Sequence, residues 1–241
     1  MFRRIALSFF LCGLMELSAY GQRLPFLFSA GINYGTYSMK DMKALQKDLL
    51  LYSQANFNLL EMKSVAEFPP QLGYEASIMT SFKKWKVGLT GWRYSTGARN
   101  DYTDYTGFIR TDMITTVNGV GVKGNYTFVD NNSHHFYATV HSGIGFNSLT
   151  IKQQVVAWDF VDEKQKRSFK SQNIVVTPGA GYSFTLTNRI SLGAEAKYEF
   201  NVFKGKLKAS DTDAYLTNFR GEKQVLQWDG IRLSLTASYA F

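Results

Sequence analysis

Cysteine is all but absent from this chain: the single residue is Cys12, close to the N-terminus. If that end is removed on export, as argued below, no disulfide and no thiolate chemistry remain. Histidine is nearly as scarce, with 3 in 241 residues and no ligand-spaced cluster, so the sequence offers no metal site. No cofactor motif is present either. Proline is rare at 4 residues, which suits a chain built from many paired strands. Mean hydropathy is −0.19, and beyond the N-terminus no apolar run approaches the ~18 residues a membrane helix needs. This absence does not exclude a membrane β-barrel, in which only every second residue must be apolar.

What is abundant is aromatic: 14 Tyr and 19 Phe. The formal net charge is +8, a balance that permits binding of nucleic acid. On an exported chain, attraction to anionic lipopolysaccharide is the expected use, and no nucleic-acid partner is expected. Export is indicated by Arg3 and Arg4, the apolar stretch 5–15 and the small-x-small site Ala19-Tyr20-Gly21. The expected organisation is therefore a signal peptide at 1–21 and one β-domain at 22–241.

The clearest pattern lies at the other end. Ile231, Leu233, Leu235, Ala237, Tyr239 and Phe241 alternate with Arg232, Ser234, Thr236, Ser238 and Ala240. Successive strand residues point to opposite faces, so this is a strand with one greasy and one polar side. The same rhythm predicts strands at 26–35, 71–82, 85–95, 108–128, 135–148, 173–186 and 189–203. Two irregularities are expected. Trp92 and Tyr94 fall in the polar phase, which a bulge or strand above the membrane would explain, and Pro178 falls mid-strand, which suggests a bulge. Between the first two strands, Met39, Met42, Leu45, Leu49 and Tyr52 recur at helical spacing, predicting an amphipathic helix at 39–53 capped at Ser38.

The connections alternate. Turns at 83–84, 130–133 and 187–188 are tight, whereas 36–69, 96–107, 150–171 and the ~20 residues before the last strand are long. Short turns on one side and long loops on the other make an up-and-down barrel. Phe26, Phe28, Phe82, Trp85, Tyr126, Phe128, Phe136, Phe184, Tyr239 and Phe241 would form one aromatic girdle at the short-turn end. A soluble β-sandwich would not predict such a ring. The fold class expected is all-β: a closed antiparallel transmembrane β-barrel of eight strands with a short helix in its first outer loop. Ten strands are possible if 54–68 or the first half of the fourth strand adds a pair.

This pattern, with the terminal Tyr-x-Phe of Tyr239 and Phe241, resembles the small outer-membrane barrel superfamily. That group includes outer-membrane proteins A, X and W and the lipid A palmitoyltransferase. The stretch Tyr94-Ser-Thr-Gly-Ala-Arg99 resembles a loop of Bacteroidota-type barrels. The resemblance implies an outer-membrane location, with the terminal aromatics as an assembly signal. It implies as partners outer-membrane lipids and lipopolysaccharide, the barrel assembly machinery and periplasmic chaperones.

Seven charged or titratable residues are expected to face the lumen: Glu75, Lys123, His141, Glu195, Lys197, Glu199 and Arg232. An eight-stranded barrel is just wide enough to be filled by side chains, and buried mixed charges pair. They should form a plug; a narrow ion path or ligand pocket is the alternative. Barrel enzymes resembling the lipid A palmitoyltransferase use His with Ser, but Ser142 is adjacent to His141 and points to the opposite face, so no catalytic residue is assigned. The expected function is non-enzymatic: an envelope-stabilising or surface-binding barrel. A channel for small or hydrophobic solutes like outer-membrane protein W is second, and a lipid A-modifying enzyme third.

Overall fold

The structure is a computed structural model that describes residues 26–57, 62–105, 107–157 and 161–241. The proposed signal peptide at 1–21 lies outside the described residues. Eight strands close into a ring: β1 (Phe26–Gly35), β3 (Gln71–Phe82), β4 (Trp85–Asp104), β5 (Gly107–Asn131), β6 (His134–Ala157), β7 (Val161–Thr185), β8 (Ile190–Lys204) and β10 (Gly230–Ala240). Every neighbouring pair is antiparallel, and the ring shuts where β1 meets β10, with Leu27 opposite Ala240 and Gly35 opposite Arg232. The Phe241 amide donates to the Phe26 carbonyl at 2.9 Å. A ring leaves no unpaired edge, which is what a sheet in hydrocarbon requires. Among the described residues, no helix is long and apolar enough to cross a membrane.

Two further strands lie outside the ring. β2 (Lys63–Glu67) pairs with the top of β4, and β9 (Lys208–Ala209) with β7. The extra strand within 54–68 exists, but it is an appendage and not part of a ten-stranded barrel.

The barrel is lopsided. β4 to β7 are 20 to 25 residues long, whereas β1, β3, β8 and β10 have 10 to 15. A tilted strand crosses a bilayer in ~9–11 residues, so β4–β7 rise well beyond the membrane as a wall. The stretches 96–107 and 150–171, expected as loops, are largely the strand ends of this wall. Above the bilayer neither face must be greasy, so polar sequence continues the ladder without the alternating signature.

Of the two explanations for Trp92 and Tyr94, the bulge is absent. The register of β4 runs unbroken against β3 and β5, and Trp92 and Tyr94 point inward, 4% and 1% exposed. Interior glycines make the room: a Cβ on Gly119 would collide with the Trp92 ring, as one on Gly181 would with Tyr137. Nor does Pro178 shift the register; it sits opposite Val140, and the register shift of the β7–β8 pair falls instead between Ile174 and Val175, where Val202 of β8 is the extra residue.

α1 (Lys40–Phe57) leans into the mouth against the wall. Its cap differs from expectation. Met39 accepts the first helical bond, from Lys43, at a φ of 41°. The amides of Ser38 and Met39 are taken by the carbonyls of Asp229 and Gln227. Pairing to the chain that precedes β10 thus replaces the capping box.

Candidate functional site

Three layers fill the barrel. One is a square of charges contributed by three strands, with Thr139 hydrogen-bonded to Asn125 nearer the short turns. Lys123 on β5 reaches Glu75 Oε1 at 2.9 Å and Glu195 Oε1 at 2.8 Å. Lys197 on β8 reaches Glu75 Oε2 at 2.6 Å and Glu195 Oε2 at 2.8 Å. Each ammonium touches both carboxylates, and the charges sum to zero. Tyr137 Oη donates a further bond to Glu195 Oε1 at 3.1 Å. All four charged side chains are at most 4% exposed. Charges so deeply desolvated are tolerated because every one is paired and hydrogen-bonded.

Above this square lies Arg232, wholly buried. Its guanidinium donates from Nε to Glu199 Oε2 at 3.2 Å and from Nη2 to the Trp228 carbonyl at 2.8 Å. Its plane also lies against two aromatic rings, Tyr37 at 4.6 Å and Tyr94 at 4.4 Å. The planar fork suits a site needing stacking and directed donors together.

His141 stands apart from both groups. It packs on the Trp92 indole, with ring centroids 4.5 Å apart. Neither ring nitrogen finds a partner among the described residues; the same is true of Trp92 Nε1 and of Thr177 Oγ1, opposite His141 in the ladder. His141 and Ser142 stand on opposite faces of β6, so they do not form a nucleophile–base pair.

The top layer is apolar. Met39, just before α1, and Met42 and Leu45 of α1 meet Leu207, Leu226 and Trp228 from the chain between β8 and β10. Around them stand Tyr94, Met113, Val117, Leu149 and Val175 of the wall. Buried hydrogen bonds fix the layer. Trp228 Nε1 donates to Asn147 Oδ1 at 2.9 Å, and Asn173 Nδ2 to the Leu226 carbonyl at 2.8 Å. Gln46 of α1 donates to Asn100 Oδ1 at 2.9 Å and to Ser64 Oγ at 2.7 Å, pinning the helix to β4 and β2. Sequence reasoning anticipated the apolar stripe of α1. It missed Leu207, Leu226 and Trp228, isolated apolar residues in a polar stretch with no period to mark them.

The outside of the barrel is the reverse. Ile32, Ile78, Leu89, Val120, Ile144, Leu192 and Leu235 are 45% to 62% exposed, a belt around the ring. At its short-turn end Trp85 packs on Tyr126, Phe136 on Tyr182 and Tyr239 on Phe241, with centroids 4.8 to 5.0 Å apart. An apolar belt edged by aromatics is the exterior of a protein dissolved in lipid. On the outer face of the wall above it, Arg99 Nε meets Asp112 Oδ1 at 2.5 Å and Arg110 Nε meets Asp101 Oδ1 at 3.3 Å. The Asp112 carboxylate beside Arg99 pushes that guanidinium above its ordinary value.

A closed eight-stranded ring with a greasy exterior and a filled interior defines the class: a small transmembrane β-barrel. No family model matches the sequence, and no curated protein does. Among solved structures the chain is similar to Ail, the attachment invasion locus protein of Yersinia pestis. Identity is 13% and the TM-score 0.39, over 91% of this chain and 100% of that one. It is similar also to Neisserial surface protein A, at 12% identity and a TM-score of 0.42 over 90% and 97% of the two chains. A major outer membrane protein from Thermus thermophilus gives 11% and 0.47 over 90% and 99%.

Proposed function

We propose that this protein is a sealed, non-enzymatic barrel of the outer membrane, exported by cleavage after residue 21, that presents its raised wall and cap as a recognition surface. One observation carries the reading: the interior is closed twice, by the Glu75–Lys123–Glu195–Lys197 square and by the apolar layer of α1 and Trp228. A solute would have to break four ion pairs and displace a hydrophobic core. Lipids and lipopolysaccharide surround the belt, and the basic balance of the chain favours their phosphates. Tyr239 and Phe241 serve as the signal read by the barrel assembly machinery after periplasmic chaperones deliver the chain. Conductance across planar bilayers tests the reading. The purified barrel should give no steady single-channel steps; reproducible steps would make it a channel and overturn the proposal.

A further inference from the structure

Beside the apolar layer, between α1 and the inner face of the wall, lies a cleft of about 550 Å³. That is the size of a small-molecule site. Its floor is apolar: Leu49 of α1, Ile151 and Val155 of β6, Phe169 of β7 and Leu216. Its side is an ordered row on β7. Glu163, Gln165, Arg167 and Phe169 are alternate residues, so all four share the inner face. Gln153 on β6 stands directly opposite Gln165. The row thus reads acid, amide pair, base, ring. No side chain of Glu163, Gln165, Arg167 or Gln153 has a hydrogen-bond or ion-pair partner among the described residues. The unspent polar capacity faces a greasy floor.

The spacing selects the ligand. Glu163 and Arg167 are four residues apart, about 13 Å along a strand, which is the length of three or four extended residues. An ammonium near Glu163, a carboxylate near Arg167 and peptide groups between them at the paired glutamines would satisfy every polar group in the row. Apolar side chains would fall on Ile151, Phe169 and Leu216. We propose that the cleft binds a short peptide with free, charged termini. This deepens the surface-recognition reading above and rests on it; the conductance test bears on the closed barrel alone, so the two can fail separately.

The test uses the mature barrel in lipid nanodiscs, titrated calorimetrically with the tetrapeptide Ala-Leu-Ala-Phe and with its N-acetyl, C-amide form. The free peptide should bind saturably, and the blocked form, which loses both terminal charges, roughly a hundredfold more weakly. Glu163→Gln and Arg167→Gln should each weaken the free peptide roughly tenfold and leave the blocked form unchanged. Lys208→Ala, outside the cleft, should change neither. Both row charges are exposed, so the variants should fold, which circular dichroism checks. Equal affinity for the two peptide forms, no saturable peptide binding, or binding of laurate in the peptide's place would overturn the proposal.

Discussion

At the scale of single residues, the lumen contains two kinds of buried polar group with opposite consequences. Glu195 neutralises two lysines at once and accepts from Tyr137. Removing it as Glu195→Ala leaves an uncompensated buried cation, and should cost about 3–5 kcal/mol in denaturant unfolding. His141 has no polar partner among the described residues. His141→Leu deletes unsatisfied groups from a packed site, and should be neutral or stabilising by up to about 1–2 kcal/mol. Equal losses for the two variants would contradict this division. The sequence shows why one residue type was legible and the other not. Alternation puts Glu75, Lys123, Glu195, Lys197, Glu199 and Arg232 inside, and burial then demands that opposite charges meet. It does not say which pairs form, because that depends on stagger between strands distant in sequence. On the surface, Lys208 Nζ meets Asp213 Oδ1 at 2.7 Å and holds that carboxyl below its ordinary value, first by the hydrogen bond and then by charge. A depressed carboxyl stabilises the fold above its unfolded-state value, and that contribution is lost as pH falls through the folded one. NMR titration should find Asp213 below the usual aspartate range, returning to it in Lys208→Ala. An unmoved titration would show that the pair does not form in solution.

At the scale of elements, the strands inside the bilayer were readable and the elements above it were not. In lipid, each outward position must be apolar, so β8 announces itself through Ile190, Leu192, Ala194, Ala196, Tyr198 and Phe200. The upper halves of β4 to β7 face water outside and a mixed cap inside, and their alternation fades. The helix was legible because its stripe packs on a core. Its start was not, because the competing partner is the backbone of Gln227 and Asp229, nearly two hundred residues away. The helix is proposed to be a structural cap, with Met42 wholly buried beneath it. Met42→Ala should therefore cost about 2–5 kcal/mol. The loss should register as faster amide exchange in α1 and 206–228, with β8 and β10 still protected. Uniformly faster exchange through the ring would show that cap and barrel are one cooperative unit.

At the scale of the whole molecule, one alternation does two jobs. It turns grease toward acyl chains and polarity toward an interior narrow enough to close on itself. With Cys12 the only cysteine, and in the segment proposed to be cleaved, single cysteines can be placed at will along β8. Cysteines at Leu192, Ala194, Tyr198 and Phe200 should report contact with lipid, through quenching of an attached fluorophore by brominated acyl chains. Cysteines at Glu195, Lys197 and Glu199, introduced one at a time into folded barrels in liposomes, should resist a water-soluble maleimide from either side. Labelling of these interior positions at the rate of an exposed loop cysteine, or outward positions that react with water-soluble reagent and show no quenching, would contradict a sealed barrel in a membrane.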